Sequence, residues 1–216
     1  MSFRGRMPLP WWSFMAVDRI EALRLISQEF PEDPVVFTCG ATCREMVAAE
    51  RRDNHLYVID SMGLVSSIVL GLSLGLERAE SSVRSARARR RVVGVEGDGG
   101  MLMNLNALTT IGYLQPATLL LIILDNERYD STGGQHTFTD RLDLGAVAAS
   151  CGLRTWKVDD LEGLQHAIGE ASETPGPGFI HMKIAPGNAA VPLLLDDPVT
   201  LGDRFARWLS AATGSC

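Results

Sequence analysis

Cysteine is scarce: four residues in a chain of 216, at Cys39, Cys43, Cys151 and Cys216. Only Cys39 and Cys43 lie close together, and three residues separate them, so there is no C-x-x-C pair. That excludes a legible disulfide framework and gives no zinc-ligand spacing. The thiols are read as reduced, with Cys39 and Cys151 buried. An excess of positive charge is also missing. Twenty Lys and Arg face 26 Asp and Glu, for a formal net charge of -6. No domain-wide field would gather nucleic-acid phosphates, so no nucleic-acid partner is expected. The one basic cluster, "RSARARRR" from Arg84 to Arg91, is read as a solvated loop before a strand rather than a phosphate or RNA patch. No apolar run is long enough to cross a bilayer, so no membrane partner is expected. In "MSFRGRMPLPWWSFMAVDRI" the prolines and the early Asp18 spoil a secretory core. A cytoplasmic protein is the expectation. Internal repeats and low-complexity blocks are lacking as well.

What is present is an ordinary globular composition, 46% hydrophobic and 21% charged. Its length suits one domain with a sizeable core, taken as residues 1–216. Strand-like and helix-like stretches alternate. "VDRIEALRLISQEF" has helical spacing, "PVVFTCG" is a β-rich run, and "CREMVAAERR" is a helix. "HLYVIDSMG" is a strand running into glycine, followed by the apolar helix "LVSSIVLGLSLGLE", expected to be buried. "RRVVGVEGDGG" is strand then loop, "MLMNLNALTTIGYL" a helix, and "ATLLLIILDN" the strongest strand. After the polar loop "ERYDSTGGQHTFTD" come a helix from Leu142 to Cys151, the strand "LRTWKVD", a helix around "LEGLQHAIGEA" and the strand "GPGFIHMKIAPG". A terminal helix is read in "DPVTLGDRFARWLSAA". Such alternation implies an α/β fold, a doubly wound parallel sheet with helices on both faces and right-handed crossovers. Ligands in such sheets bind at the carboxyl ends of strands, where the strand order switches. The informative loops are therefore "TCGATCRE", "DSMG", "GDGG" and "DNERYDSTGGQ".

Asp-Gly between apolar segments is most often a turn, and "GDGG" alone says little more. Its meaning changes with "LLLIILDNERY". One complete strand–helix–strand passage separates Asp98 from Asn126, which places both at the carboxyl ends of parallel, neighbouring strands. Asp98 offers a carboxylate, Asn126 an amide oxygen, and the backbone just beyond, at Arg128, a carbonyl. Three hard oxygen donors without His or thiolate suit Mg²⁺. That ion takes its remaining ligands from water and phosphates. The glycines let backbone N–H groups approach a phosphate, and a helix opening at Met101 would turn its positive end toward it.

"GDGG" with the later Asn126 resembles the diphosphate-binding motif of thiamine diphosphate enzymes. "GDGGMLMNLNAL" is similar to the same stretch in acetolactate-synthase-type members. "DSMGLVSSIVLGLSLGL" resembles the segment that lies under the aminopyrimidine. "TCGATCREM" and "STGGQHTF" are similar to phosphonopyruvate decarboxylases and to β subunits of sulfopyruvate decarboxylase. The likeness runs from about Val35 to about Gly187. It implies thiamine diphosphate and Mg²⁺ as cofactors. By the resemblance, Asp98, Asn126 and the Arg128 carbonyl ligate the metal, while Gly97, Gly99 and Gly100 line the diphosphate. Asp60, Ser61, Met62, Gly63 and Tyr129 join the cofactor site. Met62 would be the wedge that bends the cofactor; core packing is its plain alternative. The carbonyl of Asp60, where the family commonly has glycine, would contact the aminopyrimidine.

The family's activating glutamate sits on a second, pyrimidine-binding half. Glu45, Glu50 and Glu96 lie in the wrong part of the motif to replace it. The resemblance thus implies one subunit of a hetero-oligomer whose partner carries that glutamate. The reaction implied is decarboxylation of a small-molecule 2-oxo acid, a 3-substituted pyruvate. Thr42, Arg44, Ser131, Thr132, Gln135 and His136 are candidate substrate contacts, with Arg44 suited to a second anion. A surface helix for Arg44 and an exposed loop for His136 are the ordinary alternatives. Asp196 and Asp197 stand where phosphonate-handling relatives tend to carry Arg-Pro. Competing readings are a carboligase, the β subunit of a 2-oxoacid:ferredoxin oxidoreductase, and a non-catalytic nucleotide-binding module.

Overall fold

A computed structural model describes residues 17–82 and 90–213. Most of the basic cluster, Arg84 to Arg89, falls outside the described residues, as does Cys216. Strand β4 (Leu119–Asp125) is the spine of the sheet, and all seven of its residues are buried. Leu120, Ile122 and Leu124 enter one core, while Leu119, Leu121 and Ile123 enter the other. A strand covered on both faces has to read as a continuous apolar run, as this one does.

Around it stand β1 (Val35–Phe37), β2 (His55–Tyr57), β3 (Val92–Gly97), β7 (Arg154–Val158) and β8 (Gly178–Lys183). Their order is β2-β1-β3-β4-β8-β7, all pairs parallel. On one face α1 (Arg19–Glu29), α2 (Ala41–Ala49) and α7 (Leu161–Glu173) bury Leu23, Met46 and Leu164 against Phe37, Val95 and Ile180. On the other, α3 (Val65–Ser82), α5 (Ala107–Leu114) and α6 (Leu144–Ser150) bury Val69, Ile111 and Leu144 against Val36, Leu121 and Phe179. Helix α8 (Pro198–Thr213) closes the β2 edge. The chain leaves β1 toward β2 but leaves β3 toward β4, so the winding reverses between β1 and β3. A ligand site belongs at their carboxyl ends.

Several elements differ from expectation. The helix after β3 opens at Asp98 rather than at Met101. It is also broken into α4 (Asp98–Met103) and α5. Asn104 makes the break, turning its amide to the Gly63 carbonyl at 2.8 Å and to Ser67 Oγ at 3.1 Å. Helix α3 is not buried all round, because Ser67, Gly71, Gly75 and Arg78 face outward. The polar loop after β4 contains a hairpin, β5 (Arg128–Tyr129) paired with β6 (Gln135–His136). Among the thiols Cys43 is the buried one, its Sγ 3.3 Å from the Phe37 carbonyl, whereas Cys39 and Cys151 are half-buried.

Candidate active site

Four loops meet at the reversal point around a cavity of about 70 Å³. It is lined by Arg19, Thr38, Cys39, Thr42, Met62, Glu96, the run Gly97 to Gly100, Asn126 and the stretch Arg128 to Thr132. Backbone conformation shapes the loops. Gly63 has φ +84°, and a Cβ there would stand 2.9 Å from the Gly100 carbonyl oxygen, so only glycine lets the loop after β2 lie against α4. Asp60 has φ 61°. The left-handed conformation that a glycine would adopt freely is thus kept here with a side chain.

Asp98 opens α4 and is 2% exposed. Its Oδ2 accepts from Thr137 Oγ1 at 2.5 Å and from Thr139 Oγ1 at 3.4 Å. Thr139 also donates to Asp125 at 2.8 Å, and Asp125 is hydrogen-bonded to His181 Nε2 at 2.7 Å and paired with Lys183 at 2.9 Å. Burial and the neighbouring Asp125 push the Asp98 carboxyl up. Asp125 is buried too, yet His181 and Lys183 hold its carboxyl down. One carboxylate of the pair is thus neutralised by the protein, while the other lines the cavity.

Asn126 is 7% exposed; its amide donates to Asp130 Oδ2 at 2.7 Å, and its Oδ1 accepts from the Arg128 N–H at 3.1 Å. The Glu127 and Tyr129 carbonyls point across to the β6 side, accepting from Thr137 and Gly134. Strand alternation therefore turns the Arg128 carbonyl away from β6. Asp98, Asn126 and Arg128 line one cavity and can offer it a carboxylate, an amide oxygen and a main-chain carbonyl, the donor chemistry of Mg²⁺. Among the described residues no group of three His, Cys, Asp or Glu side chains is placed to hold a metal. Cys39, Cys43 and Cys151 are free thiols.

The cavity also holds polar groups in want of a partner. Glu96 is 1% exposed; its Oε1 accepts from the Gly97 N–H at 3.0 Å, but its Oε2 has no partner among the described residues. The same holds for Thr38 Oγ1. Burial pushes the Glu96 carboxyl up to about 7, although the Gly97 N–H pulls it down. A Cβ on Gly97 would meet nothing within 4 Å, so that glycine borders open space. These residues fit a diphosphate with its cation.

The structure brings together Met62, Gly97, Asp98, Gly99, Gly100, Asn126, Arg128 and Tyr129, with Thr42, Ser131 and Thr132 beside them. Asp60, Ser61 and Gly63 flank Met62 on the loop after β2. Arg44 is not brought there. Its guanidinium donates to the carbonyls of Val191 at 2.8 Å and Pro192 at 3.2 Å, fastening the segment that follows β8. Gln135 and His136 are exposed on β6, outside the cavity lining. Asp196 pairs with Arg51, and Asp197 caps α8 through the Val199 and Thr200 N–H groups. Neither lines the cavity, so the acidic pair carries no argument about the substrate. Sequence reasoning did not single out Arg19, Asp125, Asp130, Thr137, Thr139 or His181. Two signals were available: "TFT" puts two hydroxyls on one face, and a lone His interrupts the buried run "FIHMK".

Comparison with known proteins agrees with this geometry. The chain is 37% identical over 200 residues to the sulfopyruvate decarboxylase subunit beta of Methanothermobacter thermautotrophicus, covering 92% of this chain and 99% of that subunit. It is 38% identical to the phosphonopyruvate decarboxylase of Streptomyces hygroscopicus, covering 93% of this chain but 49% of that one. Among solved structures, benzoylformate decarboxylase from Polynucleobacter necessarius shares the fold with a TM-score of 0.64 at 20% identity, over 90% of this chain and 36% of that one. Residues 40–182 match the family described as thiamine pyrophosphate enzyme, C-terminal TPP binding domain. The chain belongs to that family.

Proposed function

We propose that this chain is the diphosphate-binding subunit of a two-subunit, thiamine diphosphate-dependent 2-oxo acid decarboxylase acting on a small 3-substituted pyruvate. The observation that carries this is the joint one. The cofactor loops converge at the reversal point of a chain that matches a sulfopyruvate decarboxylase beta subunit along 99% of its length. Asp98, Asn126 and the Arg128 carbonyl would hold Mg²⁺, and Gly97, Gly99 and Gly100 would take the diphosphate. When bound, the cofactor supplies the electron sink that allows a 2-oxo acid to lose CO₂. The chain's own share is positioning. Met62 supports the cofactor from the loop after β2, and a relay of two hydroxyls, Thr137 donating to Asp98 and Thr139 to Asp125, fixes the Asp98 carboxylate beside its neighbour. Ser131 and Thr132 present hydroxyls at the cavity rim. A partner subunit with the pyrimidine-binding half and its glutamate completes the site, in the cytoplasm.

The test is product analysis of the chain reconstituted with its partner on sulfopyruvate, phosphonopyruvate and pyruvate. Free aldehyde from a 3-substituted substrate is the expected result. A coupled hydroxyketone as sole product would instead make the enzyme a carboligase.

A further inference from the structure

We infer that Arg19 forms an oxyanion subsite at the inner wall of the cofactor cavity. The anion it takes is a terminal phosphate oxygen of the cofactor or the charged C3 substituent of the substrate; the second source rests on the function proposed above. Arg19 is the first residue of α1, far in sequence from every loop of the motif, and is 7% exposed. One of its nitrogens is anchored: Nη1 donates to Glu45 Oε1 at 2.8 Å and to Asn188 Oδ1 at 3.0 Å. Glu45, itself 1% exposed, also accepts from the Ala189 N–H at 3.0 Å, so it is held in place from two sides. Nε and Nη2 make no hydrogen bond among the described residues, yet they are not sealed among the buried, partnerless atoms. Arg19 lines both the cofactor cavity and an adjoining one of about 210 Å³.

A guanidinium presents its donors in a fixed fork, and here the unused part of the fork opens on the cavity, where an oxyanion can take it. Asp130 Oδ2 accepts from the Asn126 amide and the Gly187 N–H, and Arg44 is spent on backbone carbonyls. Arg128 is half-buried and turns Nη1 to the Gly134 carbonyl. Arg19 is therefore the buried guanidinium at this cavity with open donors. Its anchor on Glu45 fixes where those donors point before the ligand binds, the arrangement that favours a bidentate contact to an oxyanion.

The test uses the reconstituted heteromer with Arg19→Met, Arg19→Lys and, as the control for the ion pair alone, Glu45→Gln. Calorimetry with Mg²⁺ and inorganic pyrophosphate reads the cofactor source independently of turnover. The ratio of kcat/KM for sulfopyruvate over pyruvate reads the substrate source. A tenfold or larger loss of pyrophosphate affinity in Arg19→Met, with a distinctly smaller loss in Glu45→Gln, assigns the subsite to the cofactor. A tenfold fall in the substrate ratio with pyrophosphate binding intact assigns it to the substrate; Arg19→Lys should recover part of either loss. If Arg19→Met and Glu45→Gln give matching effects in both measurements, or no effect, the subsite is overturned and Arg19 is a structural ion pair. If no 2-oxo acid is turned over, the functional reading falls while the pyrophosphate measurement still decides the role of Arg19. Should Arg19→Met fail to assemble, Arg19→Lys decides alone. Unchanged binding and ratio would then count against the subsite.

Discussion

The two groups on which the metal reading rests, Asp98 and Asn126, stand at strand ends with side chains that close no core. Asp98→Ala and Asn126→Ala are therefore expected to abolish Mg²⁺-dependent thiamine diphosphate binding while the far-ultraviolet circular dichroism stays that of the parent. Retained cofactor affinity in either variant refutes the ligand assignment. Glu96 makes a different prediction. Its folded carboxyl sits at about 7 against 4.5 unfolded, so the native state holds its proton more tightly and stability falls as pH rises from about 4.5 to 7. The difference corresponds to about 3 kcal/mol. His55 works in the opposite sense. Burial draws its pKa from 6.5 to about 4, so the folded state loses stability as pH falls through that window. In the cofactor-free chain the two trends oppose one another between pH 4.5 and 6.5. Glu96→Gln removes one of them, and its denaturation midpoint should then climb more steeply with pH over that range than the parent's. Parallel profiles for the two chains would show that Glu96 is not desolvated.

At the level of elements, the β5–β6 hairpin and the residues just after it steady the metal ligand. Thr137 and Thr139 reach back to Asp98 and Asp125 from two alternate positions. Thr139→Val keeps the volume and deletes the hydroxyl, leaving Asp125 short of one donor. Cofactor affinity at limiting Mg²⁺ should weaken about tenfold, on the order of 1.4 kcal/mol; an unchanged titration would make the relay a bystander. The hairpin was not legible in "ERYDSTGGQHTFTD", because strands of two residues leave no periodicity to detect. The sheet was legible, since a strand such as β4 must be apolar on both faces. The spacing of Asp98 and Asn126 was legible for the same reason, as the strand–helix–strand passage between them dictates adjacency. Helix onset at Asp98 was hidden because the two glycines that follow it carry a low helix propensity. The fate of Arg44 was hidden as well. Its acceptors lie 147 and 148 residues away, in a segment with no pattern of its own.

For the molecule as a whole, the expectation is that the chain alone turns over no 2-oxo acid, and that activity appears when a pyrimidine-binding partner is added. Robust turnover by a purified homo-oligomer would defeat the two-subunit reading. Leu64, Met103 and Tyr113 are 46%, 62% and 87% exposed, large apolar groups of the kind that an interface covers. Integrity of the fold is concentrated at the other end of the strands. Arg91, which leads into β3, is buried there, and its two terminal nitrogens donate to the carbonyls of Ala117, Leu119, Thr174 and Gly176 at 3.0 to 3.4 Å. Its N–H donates to Asp33 at 2.7 Å. Arg91→Met strands those acceptors and should cost roughly 2–4 kcal/mol of stability by chemical denaturation, with cofactor affinity in the assembled enzyme unchanged. Loss of affinity in step with stability would mean that the two ends are coupled. Independence has an evolutionary reading. Loops at the carboxyl ends are free to drift toward new substrates while a clamp one strand-length away preserves heritable foldability. Descendants of such a chain would diverge in chemistry long before they diverge in architecture.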